Sequence, residues 1–188
     1  MANVDAPRGL WPIQPQGGTN ARVNEYTIAT GYGTNIFTGD LVKLVAAGGI
    51  EVAAAGNRAL GVFAGVNYTD AEGNPVFKKY WPASTTATDI KAYVWDDPEQ
   101  LFGIQQETSG SVAATELGTL GDHVAGTGST TTGKSGHELS QTLGTGAASL
   151  RVRKIVNCPS NAYGEHADLV VQIYEHEFSG DDPSTPGV

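Results

Sequence analysis

The sequence has little charge and almost no cysteine. Only 16% of its 188 residues are charged, and Cys158 is the single cysteine. No disulfide can form within such a chain, so a small secreted scaffold held together by disulfides is excluded. Cys158 precedes Pro159, and we interpret it as a small, semi-buried apolar residue rather than as a nucleophile.

Basic residues are also scarce. The chain has 11 Lys and Arg against 20 Asp and Glu, which gives a formal net charge of −9. A surface that binds nucleic acid neutralises phosphates with Lys and Arg, and the densest basic groups here are Lys78–Lys79 and the group Arg151, Arg153 and Lys154. We therefore expect no nucleic-acid partner, and we expect the acidic charge to favour solubility.

Long hydrophobic runs are missing. A membrane-spanning helix needs about 18 or more consecutive apolar residues, and no stretch of this chain approaches that length. The first residues also lack a basic segment followed by an apolar run, so no signal peptide is expected. The sequence predicts no membrane partner and synthesis in a reducing cytoplasm.

Glycine, in contrast, is abundant, and the apolar residues follow strand patterns. The 25 Gly disfavour long helices, because Gly costs about 1 kcal/mol relative to Ala within a helix. Asp89–Trp95 and Leu150–Val156 alternate apolar and polar residues, while the apolar run Ala59–Val66 is typical of a strand buried on both faces. Asp168–Phe178 is the last predicted strand, and a short helix is predicted at Ser111–Leu117. Many short strands between turn residues predict a mainly β fold, a sandwich or barrel-like β domain.

The composition divides the chain into five segments. We predict an extended N-terminal arm (1–22), a β domain (23–107), a Gly/Ser/Thr-rich, loop-rich β subdomain (108–149), C-terminal strands that complete the β core (150–178) and a flexible tail (179–188). Three prolines keep the arm out of helices and central strands. Its bulky apolar residues indicate that the arm lies either on its own domain or on a neighbouring subunit.

One string matches a nucleotide-binding motif. Gly128–Ser135 (GSTTTGKS) satisfies the Walker A pattern, in which backbone N–H groups hold phosphates and the Lys reaches their oxygens. A P-loop follows a hydrophobic strand and opens a helix, whereas only His123–Ala125 precedes this string and the glycine-containing Gly136–Ser140 follows it. We predict a plain surface loop, with a P-loop NTPase as the weakest alternative.

The other chemistry-bearing residues do not converge. His166 and His176 share a parity, but about ten residues of strand at about 3.3 Å each would separate them by about 33 Å, too far to share a metal. Glu175–Glu177 is interpreted as a solvated strand end, and Asp96–Asp97 as a turn in which Asp bonds its own backbone. We expect no catalytic residue, no metal and no cofactor, and hence a protein that is not an enzyme.

Aromatic residues cluster in the middle of the chain, at Tyr68, Phe77, Tyr80, Trp81, Tyr93, Trp95 and Phe102. Core packing is the simplest explanation; a protein–protein contact and a sugar-binding platform are the alternatives. Together with the apolar anchors of the arm, they define the candidate interface that we predict: Leu10, Trp11, Ile13, Tyr80, Trp81 and Trp95.

Six segments share their pattern with one known family. They are Asn3–Leu10 (NVDAPRGL), Gly31–Asp40 (GYGTNIFTGD), Leu60–Tyr68 (LGVFAGVNY), Tyr80–Ala83 (YWPA), Val94–Pro98 (VWDDP), and Gly126–Ser135 (GTGSTTTGKS) followed by Leu139. These segments resemble the decoration, or cement, proteins on the capsids of tailed bacteriophages. Because the Walker-like string is itself part of the resemblance, it is explained without a nucleotide-binding site.

This resemblance implies a function and a set of partners. It implies a β-rich homotrimer seated at threefold positions on the outside of the shell, in contact with the major capsid protein, and it brings no catalytic residue. We predict a structural virion protein, made in the host cytoplasm, that binds the outer capsid surface and stabilises the shell. The alternative function is a carbohydrate- or cell-surface-binding β module of a phage tail.

Overall fold

The short apolar and β-branched segments of this chain form strands throughout. The computed structural model describes residues 3–13, 18, 21–107, 111–144, 146 and 148–179. Of these residues, 43% lie in strands or isolated β-bridges and 2% in helix, which confirms the predicted mainly β, sandwich-like fold. The strands are β1 Trp11–Ile13, β2 Asn24–Tyr26, β3 Ile36–Phe37, β4 Leu41–Val45, β5 Gly49–Val52, β6 Gly61–Thr69, β7 Pro75–Lys78, β8 Tyr80–Trp81, β9 Thr88–Trp95, β10 Leu101–Gln105, β11 Leu120–Gly121, β12 His123–Val124, β13 Glu138–Leu139, β14 Leu150–Ile155 and β15 Asp168–Ile173.

Two larger sheets carry the fold. Sheet I has six strands in the order β2-β9-β6-β4-β5, with β7 pairing β6, and sheet II has five in the order β1-β10-β15-β14-β11. All the pairings within these two sheets are antiparallel. Two small ribbons, β3–β8 and β12–β13, complete the strands of the described residues.

Sheet I is covered on both faces, because neighbouring residues of its strands face different cores. Leu41 and Val62 belong to a first core, which they share with the sheet II residues Phe102 and Val171. Val42 and Phe63 belong to a second core, on the other side of sheet I. The burial of β6 on both faces confirms the interpretation of its apolar run.

The second core is built around aromatic side chains. Trp81 is fully buried, and its ring meets that of Tyr68 edge-on at 5.4 Å between centroids. Phe63 and Ile36 fill the space around them. Core packing, the simplest explanation of the central aromatic cluster, therefore holds for Tyr68 and Trp81.

Two predicted elements differ from the structure. The helix predicted at Ser111–Leu117 is only a 3-10 turn at Ala114–Glu116. The last strand ends at Ile173 instead of continuing to Phe178, because the chain leaves the sheet there and pairs its backbone with Ala59. Residues 180–188, most of the predicted tail, lie outside the described residues.

Three of the predicted segments contribute to the same sheet as β10 of the β domain. The arm supplies β1, whose Trp11 pairs with Gly103 of β10 in sheet II. The loop-rich segment supplies β11 to the same sheet and Leu139 to the first core. The C-terminal strands β14 and β15 lie between β10 and β11 in sheet II.

Candidate functional site

Residues that are far apart in sequence meet at one tight turn, Phe37–Asp40, which we call the Gly39 turn. The carbonyl of Gly39 accepts the amide of Leu10 at 2.9 Å, and the amide of Gly39 donates to the carbonyl of Phe63 at 2.9 Å. Gly39 has a φ of 102°, a conformation that favours glycine. An added Cβ would also lie 3.0 Å from the carbonyl oxygens of Arg8 and Leu10, so the arm approaches closely only because this residue has no side chain.

Thr38 joins two further loops to the same turn. Its amide donates to the carbonyls of Lys79 at 3.1 Å and Gly133 at 3.0 Å. Its carbonyl accepts the amide of Ser135 at 2.9 Å. Next to it, Phe37 pairs with Tyr80, and their rings stack with 5.4 Å between centroids. The turn therefore fixes the Walker-like loop against the β7–β8 segment.

A buried polar cluster lies behind the turn and consists of Asp40, His123, Ser135 and His137, each at most 3% exposed. The carboxylate of Asp40 accepts the amide of Phe37 at 2.7 Å and a bond from the Ser135 hydroxyl, and it lies 3.4 Å from His137 Nε2. His123 stacks on His137 at 5.1 Å, and its Nε2 bonds to the carbonyl of Ala53.

Burial controls the protonation of this cluster. Removal from water raises the pKa of Asp40 to about 6, against the opposing effects of its hydrogen bonds. Burial also lowers the pKa of His137 to about 4. It lowers the pKa of His123 as well, and electrostatic repulsion from the neighbouring His137 lowers that pKa further. Both imidazoles are therefore neutral near pH 7.

The cluster contains Ser, His and Asp, but its geometry is not that of a hydrolase triad. The Ser135 hydroxyl oxygen accepts the backbone amide of His137 at 2.9 Å and bonds to Asp40, rather than to an imidazole nitrogen. A nucleophilic serine needs a base within reach and access to substrate, and Ser135 is only 3% exposed. The arrangement instead joins the arm, the Gly39 turn and the 126–139 segment.

Sequence reasoning missed this cluster. Ser135 and His137 share the parity of Leu139, which is fully buried in the first core. Polar residues at core positions immediately before a buried Leu were the available signal. Asp40 carried no comparable signal, because its burial depends on the arm and on the 126–139 segment folding over it.

The arm lies on its own chain in the described residues. Leu10 is 1% exposed and belongs to the first core. The Trp11 ring lies directly over the backbone of Gly103. The Arg8 guanidinium lies over Trp11 at 3.9 Å from the ring centroid and donates to Asp168 at 2.8 Å. The arm was expected to lie either on its own domain or on a neighbouring subunit, and these contacts are with its own domain.

The six candidate interface residues divide into two groups. Leu10 and Trp81 fill the two cores, so neither offers side-chain surface to a partner unless a core opens. Trp11, Ile13, Tyr80 and Trp95 are half-buried and keep some exposed surface. Ile13 ends β1, where its carbonyl accepts the side-chain amide of Gln100. Residues 14–17, which follow, lie outside the described residues.

The Walker-like loop uses its backbone internally. The amide of Gly133 donates to the carbonyl of Ser129, that of Ser129 donates to the carbonyl of Lys134, and that of Ser135 donates to Thr38. A P-loop directs such amides at phosphates, and here they are already bonded. Two-residue strands flank the loop on either side, where a P-loop would have a long strand and a helix.

The remaining polar candidates are dispersed. His176 is fully buried, and burial lowers its pKa to about 4. The interpretation of Glu175–Glu177 as a solvated strand end is therefore wrong at His176. Cys158 is exposed rather than semi-buried. Within the described part of the chain, no group of three or more His, Cys, Asp or Glu is arranged to hold a metal ion.

The two adjacent aspartates have different roles. Asp97 accepts the amide of Glu99 at 2.9 Å, as predicted for an Asp that bonds its own turn. Asp96 is buried and accepts the Tyr26 hydroxyl at 2.5 Å and the side-chain amide of Asn24 at 2.9 Å. Burial and this bond raise the pKa of Tyr26. Asp96 thus fastens β2 to the end of β9.

Comparison with known proteins adds no relative. No protein-family model, no curated protein and no solved structure matches this chain. In addition, no helix among the described residues has the length and apolar character needed to cross a membrane.

Proposed function

We propose that this chain is a structural protein of the virion, which decorates the outside of a bacteriophage capsid and stabilises the shell. The proposal rests on the resemblance of six segments to capsid decoration proteins. In this function the chain binds the major capsid protein, acts as a homotrimer and carries out no chemistry. Its net charge of −9 keeps it soluble at high copy number and away from the packaged genome.

One structural observation carries the proposal. Five of the six resembling segments meet at the Gly39 turn. The 31–40 segment contains the turn, and it is touched by the arm through Leu10, the 60–68 segment through Phe63, the 80–83 segment through Tyr80 and the 126–135 segment through Ser135. The sixth, Val94–Pro98, pairs with Phe63 through Val94. Segments that match a family by chance have no reason to fold against one another, so their convergence supports treating them as one unit.

The alternative, a carbohydrate-binding module, has less support. It depended on an accessible aromatic platform, with Trp81 and Trp95 stacking on sugar. Trp81 is fully buried, and Tyr80 has one ring face on Phe37 and the Lys78 ammonium 5.7 Å from its centroid. A sugar platform needs a free aromatic face, which Trp81 does not offer, so of the proposed pair only the half-buried Trp95 keeps exposed surface.

Cryo-microscopy of virions tests the proposal. We expect density that fits this fold on the outer face of the shell, at threefold positions. Density on the tail alone, or a shell with none, would contradict it. A second test mixes the purified chain with purified empty shells and measures sedimented occupancy by gel. Saturable binding at a fixed ratio to the capsid protein supports decoration, whereas binding that does not saturate indicates non-specific adhesion.

A further inference from the structure

A cleft lies between the arm and the Walker-like loop, and its lining is rich in hydrogen-bond donors. Ala6, Pro7 and Arg8 form one wall, and the other wall consists of Thr127, Ser129, Thr132, Lys134 and Ser135. Its volume is about 400 Å³. Two cationic and four hydroxyl side chains line this space and no carboxylate does. We call it the arm cleft.

The hydroxyl groups of the loop have protons to donate. Ser129 Oγ accepts the amide of Thr132, and Thr132 Oγ1 accepts the amide of Lys134. A hydroxyl whose oxygen accepts an amide still carries its own O–H donor. The fold of the loop therefore leaves Ser129 and Thr132 as donors toward a ligand.

Lys134 supplies the uncompensated charge of the cleft. Arg8 is already paired with Asp168. In sheet I, Lys43 pairs with Glu51 and Lys91 pairs with Glu25. Lys134, by contrast, is exposed and forms no ion pair with a described carboxylate. An unpaired ammonium beside donor hydroxyls is a local arrangement that favours an anion, and it acts against the net charge of −9, which repels anions at longer range.

The loop backbone decides which anion fits best. Phosphate sites in loops use several free backbone amides, but the amides of Ser129, Gly133 and Ser135 are bonded within the protein. Side-chain donors alone suit a planar carboxylate, which takes one ammonium and one or two hydroxyls. We infer that the arm cleft binds a carboxylate side chain of an acidic protein segment, with Lys134 as its main cation.

This inference does not depend on the capsid function and can be tested with the free chain. The probe is a hexaglutamate peptide with blocked ends, titrated into ¹⁵N-labelled protein at about 0.15 M salt, where the long-range repulsion between the two acidic molecules is screened. We expect saturable shifts at the amides of Ala6–Arg8 and Thr127–Ser135. Lys134→Gln should weaken binding by about three- to tenfold, as expected for one partly solvated charge, and Lys134→Arg should restore most of it.

A control variant and two competing ligands distinguish the possible outcomes. Lys154→Gln removes the same charge from an exposed lysine of β14 and should leave the affinity unchanged. Absence of saturable shifts, or equal weakening by Lys154→Gln and Lys134→Gln, would overturn the inference. Inorganic phosphate or ATP that shifts the same amides at lower concentration than the peptide would also overturn it, in favour of a phosphate site.

Discussion

The imidazole rings of His123 and His137 stack inside the protein, with 5.1 Å between their centroids. Two bases can share such a position only while both are neutral, since charging either ring would place a cation in a buried site beside its neighbour. The Gly39 turn and the arm lie against this pair through Asp40 and Ser135. The protonation of the cluster is therefore linked to the stability of the fold.

Acid should destabilise the protein between about pH 6.5 and pH 4. Burial lowers the pKa of His137 and His176 from 6.5 to about 4, so the unfolded chain binds protons in this interval that the folded chain does not, and stability falls as the pH falls. Asp40 acts in the opposite direction, because burial raises its pKa from 3.8 to about 6. Burial lowers the pKa of more histidines than the one aspartate whose pKa it raises, so the free energy of unfolding decreases overall as the pH falls.

Two variants with opposite expected effects on the pH dependence of stability test this account by urea unfolding at pH 7, 6, 5 and 4. His137→Asn should flatten the dependence of the unfolding free energy on pH, since this site alone contributes on the order of 3 kcal/mol. Asp40→Asn should steepen it, because the opposing proton uptake is removed. If both variants keep the slope of the unchanged protein, the cluster is not the source of the acid sensitivity.

Gly103 should tolerate no side chain as long as Trp11 is present. A Cβ at this position would overlap the Trp11 ring, and the backbone of Gly103 is not in the left-handed region, so the conflict is with the ring alone. We expect Gly103→Ala to cost about 1–3 kcal/mol, as overpacking does. In a Trp11→Ala background the same change should cost much less. A double-mutant cycle by chemical unfolding measures this difference, and purely additive effects would show that Trp11 does not lie over Gly103 in solution.

Gly128 should be required for packing rather than for phosphate binding. An added Cβ would overlap the ring of Phe37, so Gly128→Ala should lower stability by about 1–3 kcal/mol. Gly33 provides a matched control, since a Cβ there meets nothing within 4 Å. Thermal unfolding of the two variants makes the comparison. Equal midpoints would mean that Gly128 does not pack on Phe37.

The sequence predicted the strands well where the pattern was local. Alternation and the two-sided apolar run of β6 follow from side-chain periodicity, which a single segment already contains. The burial of Trp81 could not be read in this way, because β8 has only two residues and its environment is made by Tyr68 and Phe63 from another strand.

The candidate site was harder to predict, because it is made of contacts between distant positions. His137 and Asp40 are 97 positions apart in the sequence, and their burial depends on the arm closing over the Gly39 turn through Leu10. Periodicity cannot reveal such contacts, and spacing along a strand addresses only His166 and His176, neither of which belongs to the cluster. The position of Ser135 and His137 in step with Leu139 was the one local clue.

Under the proposed decoration function, deletion of residues 1–18 should weaken attachment to the capsid, but the burial of Leu10 means that the test needs a control for folding. The deletion removes Leu10, which is 1% exposed in the first core, and loss of a buried Leu costs about 2–5 kcal/mol. Full-length Leu10→Ala is the matched control, because it loses the same core contact and keeps the rest of the arm. We expect the truncated chain to occupy far fewer sites on purified shells than Leu10→Ala does, at a temperature where circular dichroism shows both to be folded. Equal occupancy of the two proteins would mean that the arm serves the fold and not the attachment.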